Sequence, residues 1–314
     1  VYMARLNKGL QMMKKDARTF QGFERDFGVP AAVLTAFWGL ETDFGGDQGN
    51  FSTIRSLATL AYDFRRPELF RPQLMDALRI IENGDLQLEE MKGAWAGELG
   101  QTQFLPSDYV HTAVDYDGDG RKNLKRSAAD ALASAAAHLR KAGWKPGTRW
   151  LQEVRLTRRL DWAQADLAIT HPLKQWAAWG VTRRNGKPLK AGNVQASLIL
   201  PMGRTGPAFL AYPNFINVYL DWNNSLVYST AAGYFATRLA GAPTLRTGNA
   251  QPFSAAGSKQ LQRLLVQRGY DVGKVDGVIG AATRRAIRAM QLQYGLPADG
   301  YPSNALLRKL QAGG

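Results

Sequence analysis

Residues 31–46 read AAVLTAFWGLETDFGG, an apolar segment in which two carboxylates appear just before a glycine pair. The apolar positions recur with helical spacing, and Glu41 falls on the same helix face as Leu34 and Trp38. Burying a carboxylate is costly and raises its pKa, which lets it hold a proton near neutral pH. The segment therefore predicts a core-facing helix that presents a candidate general acid. A partly buried glutamate paired with an arginine is the structural alternative.

Helical spacing continues on both sides of this segment. We expect helices, each ended by a nearby glycine, over 5–27, 30–44, 72–83 and 127–142. After Trp144 the pattern changes, and short β-like runs separated by glycine and proline follow at 150–156, 195–200, 208–212 and 215–220. Helical spacing then returns at 224–239. The pattern predicts a mainly helical domain with a small inserted β-sheet.

The C-terminal part of the chain is separated from this domain by a change in composition. Residues 241–257 are rich in Gly, Ala, Pro, Ser and Thr and show little periodicity, which is typical of a linker. Three short helices are expected beyond it, at 259–268, 281–294 and 303–310. We therefore predict a mainly α (α+β) fold with three parts: a large domain, a linker and a small three-helix domain, at 1–243, 244–256 and 257–314.

Composition excludes several functional classes. The 314-residue chain has a formal net charge of +14, 45% hydrophobic residues and no cysteine. The absence of cysteine excludes disulfides, thiolate metal sites and a cysteine nucleophile, and no apolar run is long enough to cross a bilayer. A basic surface favours polyanions, which include nucleic acid, a membrane surface and a carboxylate-rich cell wall. Because no nucleic-acid-binding motif accompanies the charge, nucleic acid is kept only as an alternative.

The motif Glu-Thr-Asp-Phe-Gly at 41–45 resembles the E-[ST]-x-[FYW]-G motif of the B family of lytic transglycosylases, the lytic murein transglycosylases. Further blocks resemble this family in the same order, at 56–66, 93–107 and 214–225. Together the blocks cover essentially residues 1–240. The resemblance implies a lysozyme-like helical catalytic domain that cleaves the β-1,4 bond between N-acetylmuramic acid and N-acetylglucosamine in peptidoglycan.

The chemistry implied by the resemblance needs neither water nor a cofactor. The muramyl 6-hydroxyl attacks its own anomeric carbon, so a 1,6-anhydro end is formed. One carboxyl group suffices, because it first protonates the leaving oxygen and then accepts the proton of the hydroxyl. By position, that residue is Glu41. A hydrolytic muramidase and a non-catalytic peptidoglycan-binding scaffold are the alternative functions.

The resemblance also implies a set of substrate-binding residues. These are Gln103, Trp222, Asn223, Tyr228, Arg65, Arg66 and His138. The arginine pair matches family arginines near the peptide stem, and a solvated helix end is its alternative reading. His138 stands where the family usually has tyrosine, so sugar stacking and a plain helix-face position are both open. Ala94 replaces a frequent serine, and Glu98 replaces a residue that is commonly small.

Residues 115–121 begin like a calcium-binding EF-hand loop. Aspartates occupy loop positions 1, 3 and 5 and a glycine position 6, whereas position 12 is Arg126 instead of glutamate. In the family, a later aspartate closes a similar loop. The resemblance implies a structural Ca²⁺ whose ligands are Asp115, Asp117, Asp119, the Arg121 carbonyl and Asp130. A tightly folded Asp-Gly turn cluster without metal is the alternative.

Residues 258–312 resemble a peptidoglycan-binding type 1 domain, with Asp-Gly turns at 276–277 and 299–300 between the helices. We expect it to anchor the enzyme at the wall and raise its effective concentration there. The expected partners are glycan strands and stem peptides, with other cell-wall enzymes as candidates and no nucleic acid. Residues 1–5 do not form a signal peptide. The resemblance implies a periplasmic, exported protein that is soluble or lipid-anchored at its N-terminus, and the oligomeric state is open.

Overall fold

A computed structural model describes residues 3–157, 160–190 and 192–313. The described residues of Val1–Gly147 and Ala232–Ala242 form a first compact unit. Those of Thr148–Ala231 and Pro243–Gly314 form a second. Within the second unit we call residues 148–231 the sheet module and residues 255–313 the C-terminal module.

The first unit is built from helices. They are α1 (Met3–Lys15), α2 (Ala17–Phe27), α3 (Ala31–Thr42), α4 (Thr53–Tyr62), α5 (Pro67–Glu82), α6 (Pro106–Thr112) and α7 (Ala128–Lys141). Helix α3 is the centre of the core, because Val33, Leu34 and Phe37 are all fully buried. A two-stranded antiparallel ribbon, β1 (Phe51–Ser52) with β2 (Lys92–Gly93), lies beside these helices.

The helices expected in this unit are present, with two changes at their ends. The single helix expected over 5–27 is divided at Asp16 into α1 and α2. Helix α5 begins at Pro67, earlier than expected, because proline at the first helical position sacrifices no intrahelical hydrogen bond. Gly28 ends α2 in the left-handed region, at φ 73°, where its N–H donates to the Glu24 carbonyl.

The sheet module contains a five-stranded antiparallel sheet. The strands are β3 (Leu151–Leu156), β4 (His171–Pro172), β5 (Val181–Arg183), β6 (Gln195–Ile199) and β7 (Ala208–Ala211). Their order across the sheet is β4-β6-β7-β3-β5. A short helix, α8 (Leu173–Ala178), buries Trp176 against this sheet. The inserted sheet expected from the sequence is therefore confirmed, and β4 and β5 are additions to it.

The prediction of a strand at 215–220 was wrong. Residues Asn214–Tyr219 form a π-helical turn that continues into α9 (Leu220–Trp222). Its β-branched and aromatic residues suit a strand by composition, but the buried positions do not alternate. Asn214, Phe215, Val218 and Tyr219 are buried, which is helical spacing. Packing of this face in the core decides the conformation against local preference.

Helix α10 (Leu226–Leu239) follows, and its residues from Ala232 onward belong to the first unit. The C-terminal module has α11 (Ala255–Val266), α12 (Ala281–Gln293) and α13 (Asn304–Gln311), as the sequence predicted. Helix α11 starts early because the Ser254 hydroxyl accepts the Gly257 N–H as an N-cap. Among the described helices, none is long and apolar enough to cross a membrane.

Candidate active site

Glu41 lies in the last turn of α3, the most buried helix of the first unit, and is itself half-buried. The helix ends one residue later at Thr42, and Asp43 follows in the left-handed region at φ 49°. The Thr42 hydroxyl donates to the Gln101 carbonyl at 2.6 Å and accepts the Gly45 N–H at 2.9 Å. One buried hydroxyl therefore links the residue after Glu41 to the Gln101 backbone and to the loop that follows α3.

A buried glutamine connects this helix end with the turn at 99–104. The Trp38 indole N–H donates to Gln101 Oε1 at 2.9 Å, and Gln101 Nε2 donates to the Lys125 carbonyl at 3.2 Å. Gln101 is 6% exposed, so both interactions are shielded from water. Because Trp38 precedes Glu41 by one helical turn, Gln101 fixes the position of Glu41 relative to this turn.

Gln103 is in the same turn. Its backbone lies in the left-handed region, at φ 53°, which residues other than glycine rarely adopt. Its Nε2 donates to the carbonyls of Gln48 at 3.2 Å and Gly100 at 3.0 Å. Both amide N–H groups are thus used within the protein. Within the described part of the chain, Gln103 Oε1 has no hydrogen-bond partner and is left as an acceptor.

The second carboxylate of the motif has a different environment. Asp43 pairs with Arg5 and Lys8, each at 3.1 Å. Hydrogen bonds from Lys8 and Arg5 lower the pKa of Asp43 below its ordinary value. Asp43 is therefore ionised at neutral pH and cannot serve as a proton donor, which separates its role from that of Glu41.

His138, on α7, lies next to the turn of Gln103. Its ring is 5.3 Å from the ring of Phe104, and its Nδ1 is 3.8 Å from an Asp108 carboxylate oxygen. The side chain is 20% exposed. Glu98 precedes the same turn and is half-buried, and its buried Oε2 has no hydrogen-bond partner among the described residues. Glu98 is therefore not the fully solvated side chain that its charge alone would indicate.

The two arginines after α4 differ from each other. Arg65 makes a bidentate pair with Asp63, at 2.8 and 3.0 Å, and this pair lowers the pKa of Asp63. Arg66 is exposed at the start of α5, and its side chain has no partner among the described residues. Tyr62 and Phe64 beside them are 93% and 89% exposed. Of the pair, Arg66 is the guanidinium available for a ligand.

Three predicted substrate-binding residues lie in the sheet module. Trp222 ends α9 and is half-buried, as is Tyr228 on α10. Asn223 connects these helices: its Oδ1 accepts the Ser225 N–H at 2.9 Å, and its carbonyl accepts the Ser229 hydroxyl at 2.8 Å. The amide oxygen of Asn223 therefore shapes the loop, which leaves its Nδ2 as the group that could donate to a ligand.

The aspartate loop at 115–130 brings three of the predicted metal ligands together. One carboxylate oxygen from each of Asp115, Asp117 and Asp130 lies within 4.8 Å of the others. Asp130 is fully buried, and desolvation raises its pKa. Asp119 instead accepts the Arg121 N–H at 2.9 Å. A carboxylate-oxygen set of this kind suits a hard cation such as Ca²⁺.

Basic side chains next to this loop contact other groups. Arg126 pairs with Glu90 at 2.7 Å, and the Lys125 ammonium donates to the Lys92 carbonyl. The charge of Arg126 is thereby partly neutralised, and the ammonium group of Lys125 is hydrogen-bonded to a backbone carbonyl. Basic charge next to a cation site is unfavourable, and the Glu90 carboxylate partly offsets that of Arg126.

Sequence reasoning did not single out Gln101, whose contacts link α3 with the turn at 99–104. The available signal was its position between the glycine and the glutamine of the Gly-Gln-Thr-Gln segment. A polar residue in an otherwise buried hairpin indicates a hydrogen-bonding role, since buried amides are rarely left without partners.

The first unit is helical and places a half-buried glutamate near a strained glutamine turn, and the second unit ends in a module of three helices. The chain belongs to the family described as Transglycosylase SLT domain, which matches residues 1–237. Residues 254–310 match the peptidoglycan binding domain family. Both resemblances seen in the sequence are thereby confirmed.

Individual relatives support the same assignment. Membrane-bound lytic murein transglycosylase B of Escherichia coli (strain K12) is 31% identical over 207 residues, which is 65% of this chain. The alignment covers 55% of that protein, so the chain spans about half the length of this curated relative.

Solved structures confirm the predicted fold class. SltB3 from Pseudomonas aeruginosa, in complex with NAG-anhNAM-pentapeptide, is 44% identical with a TM-score of 0.89, over 98% of this chain and 84% of that chain. The Escherichia coli lytic transglycosylase Slt35 in complex with calcium is 26% identical with a TM-score of 0.65, over 76% of this chain and 75% of that chain.

Proposed function

We propose that this protein is a lytic transglycosylase that cleaves the β-1,4 bond between N-acetylmuramic acid and N-acetylglucosamine and leaves 1,6-anhydromuramyl ends. The observation that best supports this proposal is a set of buried hydrogen bonds. They connect α3, which bears Glu41, through Gln101 to the turn that contains Gln103. The presence of an anhydro-muramyl compound in the SltB3 complex supports the product type. No cofactor takes part in this chemistry.

Glu41 acts as acid and then as base. Its protonated carboxyl donates to the glycosidic oxygen, and the C–O bond to the leaving sugar breaks. The carboxylate then accepts the proton of the muramyl 6-hydroxyl, whose oxygen bonds to the anomeric carbon. The proton count is balanced, and Glu41 returns to its starting state. Ion-paired Asp43 is unsuited to this role because its pKa is lowered.

Gln103 orients the sugar. Because both of its amide N–H groups are bonded to carbonyls, we propose that its Oε1 accepts the N–H of an acetamido group. Trp222 is the proposed stacking surface for a sugar ring, with Asn223, Tyr228 and His138 as further contacts. Arg65 and Arg66 are proposed for stem-peptide carboxylates, with Arg66 the stronger candidate because Arg65 is paired with Asp63.

The test is digestion of purified peptidoglycan by the wild-type protein, Glu41→Gln and the control Asp47→Asn, with products identified by mass spectrometry. The wild type and the control should release anhydromuropeptides, which are one water lighter than hydrolysis products. Glu41→Gln should reduce their rate by roughly 10²- to 10⁴-fold, the usual contribution of a general acid-base group. Equal rates for Glu41→Gln and the wild type would remove Glu41 from the mechanism.

A hydrolytic route is the second candidate, because the buried Oε2 of Glu98 has no partner among the described residues. Hydrolysis of this kind uses a second carboxylate to activate water. Hydrated products that disappear in Glu98→Gln would establish it. If no protein gives products but all bind sacculi, the chain is a scaffold.

We also propose a structural Ca²⁺ held by Asp115, Asp117 and Asp130, with Asp119 and the Arg121 carbonyl completing the ligand set. Clustering of three carboxylates is unfavourable without a cation, and this supports the site. The calcium complex of Slt35 gives further support. Millimolar calcium should raise the melting temperature of the wild type relative to chelator, and this rise should be absent in Asp130→Asn. An unchanged wild-type midpoint would contradict the site.

The C-terminal module is proposed to bind the wall, and the parts 1–243, 244–256 and 257–314 are proposed as catalytic domain, linker and binding domain. The family match at residues 254–310 supports this division. A periplasmic location is proposed for the exported protein, supported by the name of the Escherichia coli relative. Removal of the binding domain should weaken sacculus binding more than turnover of short soluble glycans.

A further inference from the structure

A cavity of about 280 Å³ in the second unit lies outside the sites described so far. One wall belongs to the sheet module and includes Leu167, Leu200 and Leu226. The opposite wall belongs to α12 of the C-terminal module and includes Arg285. The cavity is therefore lined by two parts of the chain that are distant in sequence.

The two modules are joined here by arginines that already have acceptors. Arg284 donates to the carbonyls of Leu200 at 3.3 Å and Pro201 at 2.6 Å. Arg288 donates to the Ala163 carbonyl at 2.8 Å and pairs with Asp166 at 3.0 Å. These bonds attach α12 to the sheet module beside the cavity.

Arg285 differs from its two neighbours. It is exposed at the cavity, and among the described residues its guanidinium has no hydrogen bond or ion pair. The two aspartates of the cavity wall are both engaged, Asp166 by Arg288 and Asp299 by the backbone N–H of Arg204 at 3.0 Å. Three arginines and two aspartates line the cavity, so its net charge is positive, which favours an anionic ligand.

The rest of the lining restricts which anion fits. Leucine and alanine side chains form most of the cavity lining. A ligand that contacts them needs an apolar group next to its charged group. A planar carboxylate matches the fork of a guanidinium better than a small hydrated ion does. A terminal alanine, with a methyl group beside a free carboxylate, has this combination.

Three lining residues of the cavity are close in the chain to the proposed glycan contacts. Leu220, Asn224 and Leu226 line it, and they flank Trp222 and Asn223 in the chain. The exposed Asn224 amide has no partner among the described residues and can bond a peptide group. One ligand carrying both sugars and a peptide could therefore contact both surfaces.

We propose that this cavity is a subsite for the carboxyl end of a peptidoglycan stem peptide, with Arg285 pairing with the terminal carboxylate and the leucines contacting the alanine methyl groups. The inference rests on the proposed function, since it deepens the substrate assigned there. It gives the C-terminal module a direct role in substrate recognition in addition to anchoring.

The test measures binding of the full chain to a synthetic stem pentapeptide ending in D-alanine, and to the same peptide amidated at its C-terminus, by calorimetry. The wild type should bind the free carboxylate about tenfold more tightly than the amide, the effect of one charge-assisted hydrogen-bonded pair. Arg285→Gln should lose this preference. Arg263→Gln, which removes an exposed arginine on α11 of the same module, should retain it.

A preference that persists in Arg285→Gln, or absence of binding to both peptides at millimolar concentration, would overturn the subsite. A second variant, Ala168→Leu, fills the cavity without changing its charge and should weaken binding of both peptides. Digestion of intact peptidoglycan separates this inference from the proposed function. Absence of anhydro products would refute the enzyme activity and leave the peptide preference standing, whereas normal products without peptide preference would refute the subsite alone.

Discussion

Buried glutamines hold turns in two regions of the molecule, the candidate active site and the C-terminal module. Gln101 holds the turn at 99–104 in the first region. In the second, Gln262 accepts the Gly277 N–H at 2.8 Å and Gln291 accepts the Gly300 N–H at 2.9 Å. The hydrogen bonds differ, however. Gln262 and Gln291 accept a backbone N–H of the turn, whereas Gln101 lies within its turn and bonds the Trp38 indole and the Lys125 carbonyl.

The regions differ in which residues take the strained backbone positions. In the C-terminal module these are Gly277 and Gly300, at φ 87° and 67°, where glycine has no steric penalty. Among the described residues, the non-glycine residues with positive φ are Asp43, Phe44 and Gln103, all at the candidate active site. Strain that the surrounding structure has to stabilise is typical of functional sites, whereas the relaxed glycine turns are scaffold.

Replacing the glutamines with leucine should separate these roles and give the largest effect. Gln101→Leu leaves the buried Trp38 N–H without an acceptor, and Gln262→Leu likewise removes the partner of the Gly277 N–H. Each should lower the free energy of unfolding by about 1–3 kcal/mol. Gln101→Leu should also reduce turnover roughly 10- to 100-fold through misplacement of Glu41 and Gln103.

Thermal melting and the rate of anhydromuropeptide release, measured well below both midpoints, check this expectation. The loss in Gln101→Leu should fall mainly on kcat, because catalytic geometry is disturbed more than binding. If Gln262→Leu lowers kcat as much as Gln101→Leu does, the proposed difference between a turn that positions catalytic groups and a turn that only supports the fold is contradicted.

Locally encoded features were predictable from the sequence. The apolar spacing of α3 and the glycine that follows α2 predict these elements within a few residues, because each depends on neighbours in the chain. The helix at 214–222 was not predictable this way, since its residues favour strands and only packing of its buried face selects a helix.

Long-range polar contacts were also beyond sequence reasoning. Gln101 bonds Trp38, 63 residues away, and Arg288 bonds Ala163, 125 residues away. The residue types show that hydrogen bonding is available, but not which partner is near. The candidate Glu41 could be found because its motif is continuous, whereas the support around it could not.

A comparison at Gln103 should show the strain directly, with a smaller effect. Gln103→Gly and Gln103→Ala both remove the side chain and its two hydrogen bonds. At φ 53° only glycine avoids the steric penalty, so Gln103→Gly should be more stable than Gln103→Ala by about 1 kcal/mol. Chemical denaturation of both variants measures the difference. Equal stabilities would mean that this position is not strained, and both variants should lose activity in either case.

The smallest effect is expected at Asp43, where the strained backbone is accompanied by ion pairs with Arg5 and Lys8. Hydrogen bonds from Lys8 and Arg5 lower the folded-state pKa of Asp43, so its stabilising contribution is present above the ordinary value of 3.8 and is lost as pH falls through the lowered pKa. Asp43→Asn keeps a residue that tolerates positive φ and removes only the charge. Because the carboxylate is 46% exposed, solvent screening should limit the loss at pH 7 to less than about 1 kcal/mol.

This loss should shrink in 1 M salt, where charges are screened over about 3 Å, and it should vanish in strongly acidic buffer. Asp47→Asn, four positions further along the chain, is the matched control, because Asp47 forms no ion pair among the described residues. Melting curves of both variants and the wild type, recorded across pH, measure how the stability loss of each variant depends on pH. A destabilisation of Asp43→Asn that is constant with pH would contradict the ion-pair account, because the loss of a charge interaction must disappear as the carboxylate is protonated.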